Sequence, residues 1–575
     1  MTKTLHHYTA ADAMLQALQD GGVSYLFANF GSDHPSIIEG LSKAKAEGRA
    51  LPNVVMCPHE HVALCAAHGY AQVTGQAQGV IVHCDVGTQN LGGAVHNAAR
   101  ARVPVFIFAG ETPYTIEERR GMRKSPANFL QDTYDQHGIV RPYVKWSYSI
   151  RTGSNIKQLT NRALQMAHSE PKGPVYLTGA REVLEEEGES AESTGNKWSD
   201  LQPSALPASG VEEITCALLE AKQPLVITSY LGRNPAAVQE LVRFCELLAI
   251  PVIEHYSSYM NFPATHPFHL GYSVEGYVDQ ADVIVVLDSD VPWIPSIKKP
   301  KKECRIYYID VDPLKEGLPL WGFPSERYYK ADTEEGLRQL NNYLSSLPIN
   351  SQPIQDRAAR LFGVHTRQRE EWRLNEQRSE GQEITPEWLT ACLRELIDDE
   401  TIILNETITN AKVVGQHLPR NIPGSFYGSG GTSLGWNGGA AIGVKLASPD
   451  KNVIVLTGDG SYFFSIPSSV HWVARKYKAP FMTVIYNNQG WKATKHNVDR
   501  LYPDGKASML DSYWVHFDQP ADLAKIAEAA GGAFAETVTE PSQLKDALRR
   551  GLDAVQDGRS SVIDVHLPAI SKQRD

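Results

Sequence analysis

The chain has 575 residues, enough for three or four domains, so a single small binding module is excluded. Its 55 basic and 66 acidic residues give a formal net charge of −11 and a pI near 6.0, a field that repels polyanions and counts against nucleic acid as a partner. A 42% hydrophobic and 21% charged composition supplies several cores and excludes global disorder. The polar start MTKTLHHYTAAD has no apolar signal core, and no stretch approaches the roughly 18 apolar residues of a membrane span. Seven cysteines, an odd number with no Cys-x-x-Cys pair, point to reduced thiols, so a soluble cytoplasmic protein is expected.

Short apolar runs rich in Val, Ile and Tyr occur at residues 24–29, 79–84, 104–109, 224–228, 282–288 and 305–310, with amphipathic stretches between them. The rhythm resumes at 401–405, 452–457, 481–486 and 562–566. It predicts βαβ units, hence parallel sheets covered by helices on both faces. Two segments interrupt it: 184–210, acidic and Ser/Pro-rich, and 346–385, highly charged with few periodic apolar positions. The expected architecture is α/β, with three doubly wound parallel-sheet domains at residues 1–185, 205–345 and 384–575.

Neither a G-x-x-x-x-G-K-[ST] loop nor a G-x-G-x-x-G after a strand is present, which counts against a P-loop NTPase. Instead the run 452–457 leads directly into Gly458-Asp459-Gly460-Ser461, and the next run ends at Asn487-Asn488. In a parallel βαβ unit both ends face the same way. Small residues there let the amides that open a helix approach phosphate oxygens, while Asp459 and the Asn488 amide oxygen are hard ligands suited to Mg²⁺.

This GDG…NN pattern resembles the hallmark of thiamine-diphosphate-dependent enzymes, and the chain is similar over most of its length to the acetolactate synthase and 2-oxoacid decarboxylase family. Supporting strings are Pro58-His59-Glu60 with His68-Gly69-Tyr70-Ala71, Phe262-Pro263 with His266-Pro267, and Ala440-Ala441-Ile442-Gly443. The resemblance implies a pyrimidine-binding first domain, a central domain and a diphosphate-binding third domain. It implies that Glu60 hydrogen-bonds N1′ of the cofactor's aminopyrimidine and so activates the thiazolium C2. Asp459, Asn488 and the Gly490 carbonyl would hold Mg²⁺, and Thr407, Ile408, Gly458, Gly460 and Ser461 would surround the diphosphate. Leu434, within GTSLGWNGG, would wedge the two cofactor rings, with Thr432 a pyrimidine partner. One chain's first domain is expected to meet another chain's third domain, so a homodimer or homotetramer is implied.

Several positions depart from acetolactate synthases. Cys84-Asp85-Val86-Gly87-Thr88-Gln89-Asn90 replaces a Gly-rich segment, Glu111 stands where Gln is usual, and Tyr272-Ser273-Val274-Glu275-Gly276 replaces the flavin-contacting string. These differences count against branched-chain precursor synthesis and against bound FAD. In the same places the chain is similar to benzoylformate decarboxylase. Ser32, in Asn29-Phe30-Gly31-Ser32, would meet the substrate carboxylate, and His83 matches a catalytic histidine, with His266 and His34 as further candidates. Near neutral pH an imidazole can give a proton to the carbon that has lost CO₂ and recover it on release.

The expected activity is that of a lyase or carboligase acting on a 2-oxoacid. The alternatives are a non-ligating decarboxylase or a diketone-cleaving hydrolase. Trp491 could shape the pocket wall. A second chemistry is suggested by Cys57, His61, Cys65 and His68. On one straight helix these span about 16 Å, too far for four zinc bonds, so a core stripe is expected. A zinc-dependent hydrolase and a non-catalytic cofactor-binding protein are the readings from other classes, and Glu60 argues against the latter.

Overall fold

The computed structural model describes residues 8–188, 198–377, 383–517, 519 and 521–570. Three all-parallel sheets follow one another along the chain. The first contains β1 (Tyr25–Ala28), β2 (Asn53–Met56), β3 (Gln78–Val82), β4 (Val105–Glu111), β5 (Trp146–Ile150) and β6 (Pro174–Ala180), in the order β2-β1-β3-β4-β6-β5. The second contains β7 (Pro224–Thr228), β8 (Val252–Glu254), β9 (Val283–Leu287), β10 (Arg305–Asp310) and β11 (Arg327–Lys330), in the order β11-β10-β9-β7-β8. The third contains β12 (Ile402–Glu406), β13 (Phe426–Tyr427), β14 (Val453–Gly458), β15 (Met482–Asn487), β16 (Phe534–Val538) and β17 (Ser561–His566), in the order β13-β12-β14-β15-β17-β16. Renumbered from one, the third sheet repeats the strand order of the first.

Interior strands such as β9, VIVVL, are buried at every position because helices cover both faces of each sheet. The expected strand at 79–84 stops earlier, at Val82, and Cys84 opens a short helix with φ 29°. The charged segment 346–385 also differs from expectation, since it contains a 26-residue helix, Ser351–Glu376. Only Arg357, Leu361 and His365 are buried on it, one per turn. It is anchored by polar contacts: the Arg357 guanidinium donates to the carbonyls of Ala221, Leu248 and Ala249, which end two helices, and His365 Nδ1 meets the His269 carbonyl at 3.0 Å. That is why no apolar periodicity announced it.

The first and third domains meet through helices Glu60–Thr74 and Trp436–Ala447, which share one core with Val62, Cys65, Ala66, Trp436 and Ala440. Their backbones nearly touch. A Cβ on Gly443 would lie 1.9 Å from the Ala66 carbonyl, and one on Gly69 2.3 Å from that of Ala440. This contact sets the spacing between the two domains that carry the candidate site.

Candidate active site

On the third sheet, Gly458 ends β14 and Asp459 begins helix Asp459–Phe464. Asp459 Oδ1 accepts from the Gly460 amide at 2.8 Å and Oδ2 from the Gly490 amide at 2.9 Å, which ties the two loops together. Burial raises this carboxyl to about 6, against the amide hydrogen bonds that lower it. Asn488 Oδ1, just beyond β15, is buried without a hydrogen-bond partner among the described residues. A partially desolvated acid beside an orphaned amide oxygen is a donor set that fits a hard divalent cation. The Gly490 carbonyl also accepts from the Lys492 amide at 3.1 Å. Trp491 lies across Gly460, where a Cβ would be 2.1 Å from its ring, and packs edge-on to Phe464 and Phe517. Ser461 and Thr407 are buried, Thr407 Oγ1 donates to Asn405 Oδ1 at 2.8 Å, and Ile408 is half exposed at φ 47°.

Glu406, the last residue of β12, arranges the segment around Leu434. Its carboxylate accepts from the Gly435 amide at 2.5 Å, the Asn437 amide at 2.9 Å and Asn437 Nδ2 at 2.8 Å. Burial lifts this acid to about 7 despite those donors. Gly435 has φ 87°, and a Cβ there would meet the Phe464 carbonyl at 2.3 Å, so the turn needs glycine. Leu434 is half-buried. Asn97 clasps the Ser433 backbone at both ends, 2.8 and 3.0 Å, while His96 Nε2 meets the exposed Thr432 hydroxyl at 3.3 Å.

On the first sheet, Glu60 is the first residue of its helix, capped by His59, whose Nδ1 accepts from the His61 amide. Glu60 is buried, and its Oε2 accepts from Asn90 Nδ2 at 3.0 Å. Ser32 and His83 follow β1 and β3, so all three lie at the carboxyl edge of the sheet, where open α/β sheets bind ligands. Ser32 is exposed. His83 Nδ1 lies 2.5 Å from Asp33 Oδ1, and His83 Nε2 is 3.2 Å from Gln131 Oε1. His34 is fully buried and accepts from the Gly31 amide at 3.0 Å, with burial holding its pKa down, so it shapes the turn. His266 stays within the central domain: its Nδ1 accepts from the Phe268 amide, its Nε2 is 3.4 Å from Glu246, and its ring packs against Phe262 and Phe268. The structure does not bring it to the Glu60 cluster.

The Cys/His stripe is core. His68 packs on Trp436, and burial depresses its imidazole to about 3. Among the described residues, the three-residue group whose ligand atoms converge is Asp33, His83 and Cys84, and it contains only His83 of the expected site residues. Sequence reading passed over Asp33, Asn90, Asn97 and Glu406. Nothing in the local string around Glu406 reveals that it holds Gly435 and Asn437.

The central sheet changes direction between β7 and β9, the crevice where a doubly wound sheet takes a nucleotide. Here side chains from two domains fill it. Lys315 Nζ donates to Asp310 Oδ2 and the Tyr230 hydroxyl, each at 2.6 Å, and lies 3.0 Å from Asp290; Arg102 of the first domain reaches Asp290 at 2.7 Å. A cavity of about 480 Å³ lies instead between the central and third domains. It is lined by His255, Tyr272, Glu275, Lys298, Ile408 and Lys412 among others.

Sequence comparison agrees with this geometry. The N-terminal TPP binding domain of thiamine pyrophosphate enzymes matches residues 8–139, the central domain 211–318 and the C-terminal TPP binding domain 407–565. The chain therefore belongs to the thiamine pyrophosphate enzyme family. It is 24% identical to the Escherichia coli (strain K12) acetolactate synthase isozyme 3 large subunit, over 97% of this chain and 94% of that one. It is also 24% identical to the chloroplastic acetolactate synthase of Arabidopsis thaliana, over 94% and 79%. Its fold is similar to the thiamine diphosphate-dependent 4-hydroxybenzoylformate decarboxylase of Rhodococcus jostii RHA1, with TM-score 0.78, 21% identity and coverage of 98% and 99%. The benzoylformate decarboxylase of Polynucleobacter necessarius is similar too, with TM-score 0.79, 20% identity and coverage of 99% and 100%. No helix among the described residues is long and apolar enough to cross a membrane.

Proposed function

We propose that this protein is a Mg²⁺- and thiamine-diphosphate-dependent lyase or carboligase acting on a small 2-oxoacid, at sites shared between subunits of a homodimer or homotetramer. One observation carries the reading. Two sheets of identical strand order present complementary half-sites, Glu60 with Ser32 and His83 on one, and Asp459 with the orphaned Asn488 oxygen on the other.

The chemistry that thiamine diphosphate would supply here is a carbon nucleophile. Glu60 holds a proton at the pyrimidine N1′ and is kept in place by Asn90. Leu434, on the turn braced by Glu406 and Asn97, would be the apolar side chain against the cofactor's rings. Asp459, Asn488 and the Gly490 carbonyl would hold the cation, and Thr407, Ile408, Gly458, Gly460 and Ser461 would surround the diphosphate. The Ser32 hydroxyl would orient the substrate carboxylate, and His83 would give a proton to the carbon that has lost CO₂ and take one up from the hydroxyl that becomes the product carbonyl. An imidazole placed for that transfer favours aldehyde release over capture of a second carbonyl.

The replacement of the flavin-contacting string by Tyr272-Ser273-Val274-Glu275-Gly276 supports a reading without FAD. Interface formation is supported by apolar side chains left exposed on both domains: Ile116, Phe129 and Leu130 on the first, Leu501, Met509 and Leu510 on the third. None of the seven cysteines forms a disulfide among the described residues, which supports a cytoplasmic location.

The test supplies pyruvate, benzoylformate and a vicinal diketone separately to protein loaded with thiamine diphosphate and Mg²⁺, and follows CO₂ and products by mass spectrometry. Turnover should require the cofactor and fall about 100-fold or more in Glu60→Gln. Cofactor-independent turnover, or an unchanged rate in that variant, would refute the proposal.

A further inference from the structure

Beside His83 lies a buried acid for which the motifs give no role. Asp33 is 2% exposed. Its Oδ1 is 2.5 Å from His83 Nδ1, while Oδ2 accepts from the Cys84 amide at 3.0 Å and from the Cys84 thiol at 3.3 Å. The backbone is shaped around this pair. A Cβ on Gly31 would lie 2.2 Å from His83 Nδ1, and one on Gly110, within β4, would lie 1.7 Å from Asp33 Oδ2. Two glycines with ordinary φ values therefore supply room and no special conformation. His83 keeps part of its ring at the surface, whereas Asp33 is sealed behind it.

We propose that Asp33 is the positioning residue of this site: by accepting from Nδ1 it fixes the tautomer and ring plane of His83, so that Nε2 is the nitrogen presented for proton transfer. The same division of labour operates wherever a buried carboxylate orients a catalytic imidazole. Asp33's part in turnover rests on the reading of His83 given above; its control of the ring does not.

The charged and titratable groups around the ring come from several elements. Asp33 and His34 lie after β1, Cys84 and Asp85 on the helix that His83 caps, and Arg181 after β6, with neutral Gln131 opposite Nε2. The hydrogen bond to Asp33 raises His83 above its ordinary 6.5, with burial opposing and the charges of Asp33 and Asp85 assisting. Burial alone would push Asp33 upward, but the His83 hydrogen bond and the two neighbouring imidazoles hold it below the usual carboxylate range. The ring therefore stays a proton donor further into the neutral range than a free histidine.

The test measures the pH dependence of carbethoxylation at His83, resolved by peptide mass spectrometry, with and without thiamine diphosphate and Mg²⁺. In the wild-type protein the midpoint should lie above 6.5, and in Asp33→Asn it should fall by about one pH unit or more. The pH profile of kcat should move with it, with cofactor affinity unchanged. Gly110→Ala, which displaces Oδ2, should lower the midpoint in the same direction if Asp33→Asn does not fold. A wild-type midpoint at or below 6.5, or equal midpoints in wild type and Asp33→Asn, would overturn the proposal whatever the turnover. So would stoichiometric metal held by the wild type and lost from both Asp33→Asn and Cys84→Ser, because Asp33 would then be a ligand. If the midpoints shift as stated while His83→Ala keeps full activity, the role of Asp33 in orienting the ring stands and the catalytic reading of His83 falls.

Discussion

Replacing Glu406 by Gln tests how the turn around Leu434 is held. The side chain is 4% exposed and accepts three hydrogen bonds, yet burial raises its carboxyl from 4.5 to about 7. The folded chain therefore binds a proton between these values that the unfolded chain releases, so stability falls as pH rises from about 4.5 to about 7. At 1.36 kcal/mol per tenfold change in proton affinity, this one group costs about 3 kcal/mol once the pH exceeds 7, and about 2 to 3 kcal/mol of that loss falls between pH 5 and pH 8. Gln copies the neutral form in shape. In urea denaturation of chelator-treated, cofactor-free protein, the wild type should lose about 2 to 3 kcal/mol between pH 5 and pH 8 that Glu406→Gln does not lose, while the amide facing backbone donors lowers the variant's stability equally at every pH. The same variant should bind thiamine diphosphate more weakly, since an amide NH₂ now faces amide donors in the turn that carries Leu434. Parallel pH–stability curves for the two proteins would refute the reasoning.

Metal-dependent cofactor retention should weaken about tenfold per pH unit below about 6, as protons compete for Asp459, and Asp459→Asn should abolish that slope in calorimetric titrations with Mg²⁺. Gly443→Ala should gain about 1 kcal/mol in helix propensity but lose more by forcing helix Trp436–Ala447 off the Ala66 carbonyl, for a net loss of about 2 kcal/mol in chemical denaturation. A variant as stable as the wild type would show that these helices do not approach so closely.

What could be read in the chain follows from how much each segment is enclosed. The apolar runs picked out in sequence became interior strands: β1, β3, β4, β7, β9, β10, β12, β14, β15 and β17. The six strands at sheet edges, β2, β5, β8, β11, β13 and β16, were not among those runs. Several are short or carry half-exposed residues, as β13 at two residues and the exposed face of β11 show, so they leave no continuous apolar signature. Interior β6 was missed as well; its sequence PVYLTGA opens with Pro and ends in Thr-Gly-Ala.

The same division holds for the site. The loop pair Gly458–Ser461 and Asn487–Gly490 was legible because each half is a contiguous string whose spacing is set by one βαβ unit, and Glu60 by its resemblance to a known motif. Asp33 beside His83, 50 residues apart, and Glu406 beneath Gly435, 29 residues apart, belong to no common string. The sequence by itself determined the α/β class, the family and the groups proposed to face cofactor and metal. Only the tertiary structure decided which buried carboxylates hold those groups in place, because a hydrogen bond between the ends of different strands depends on sheet order, and sheet order is set by packing over the whole domain.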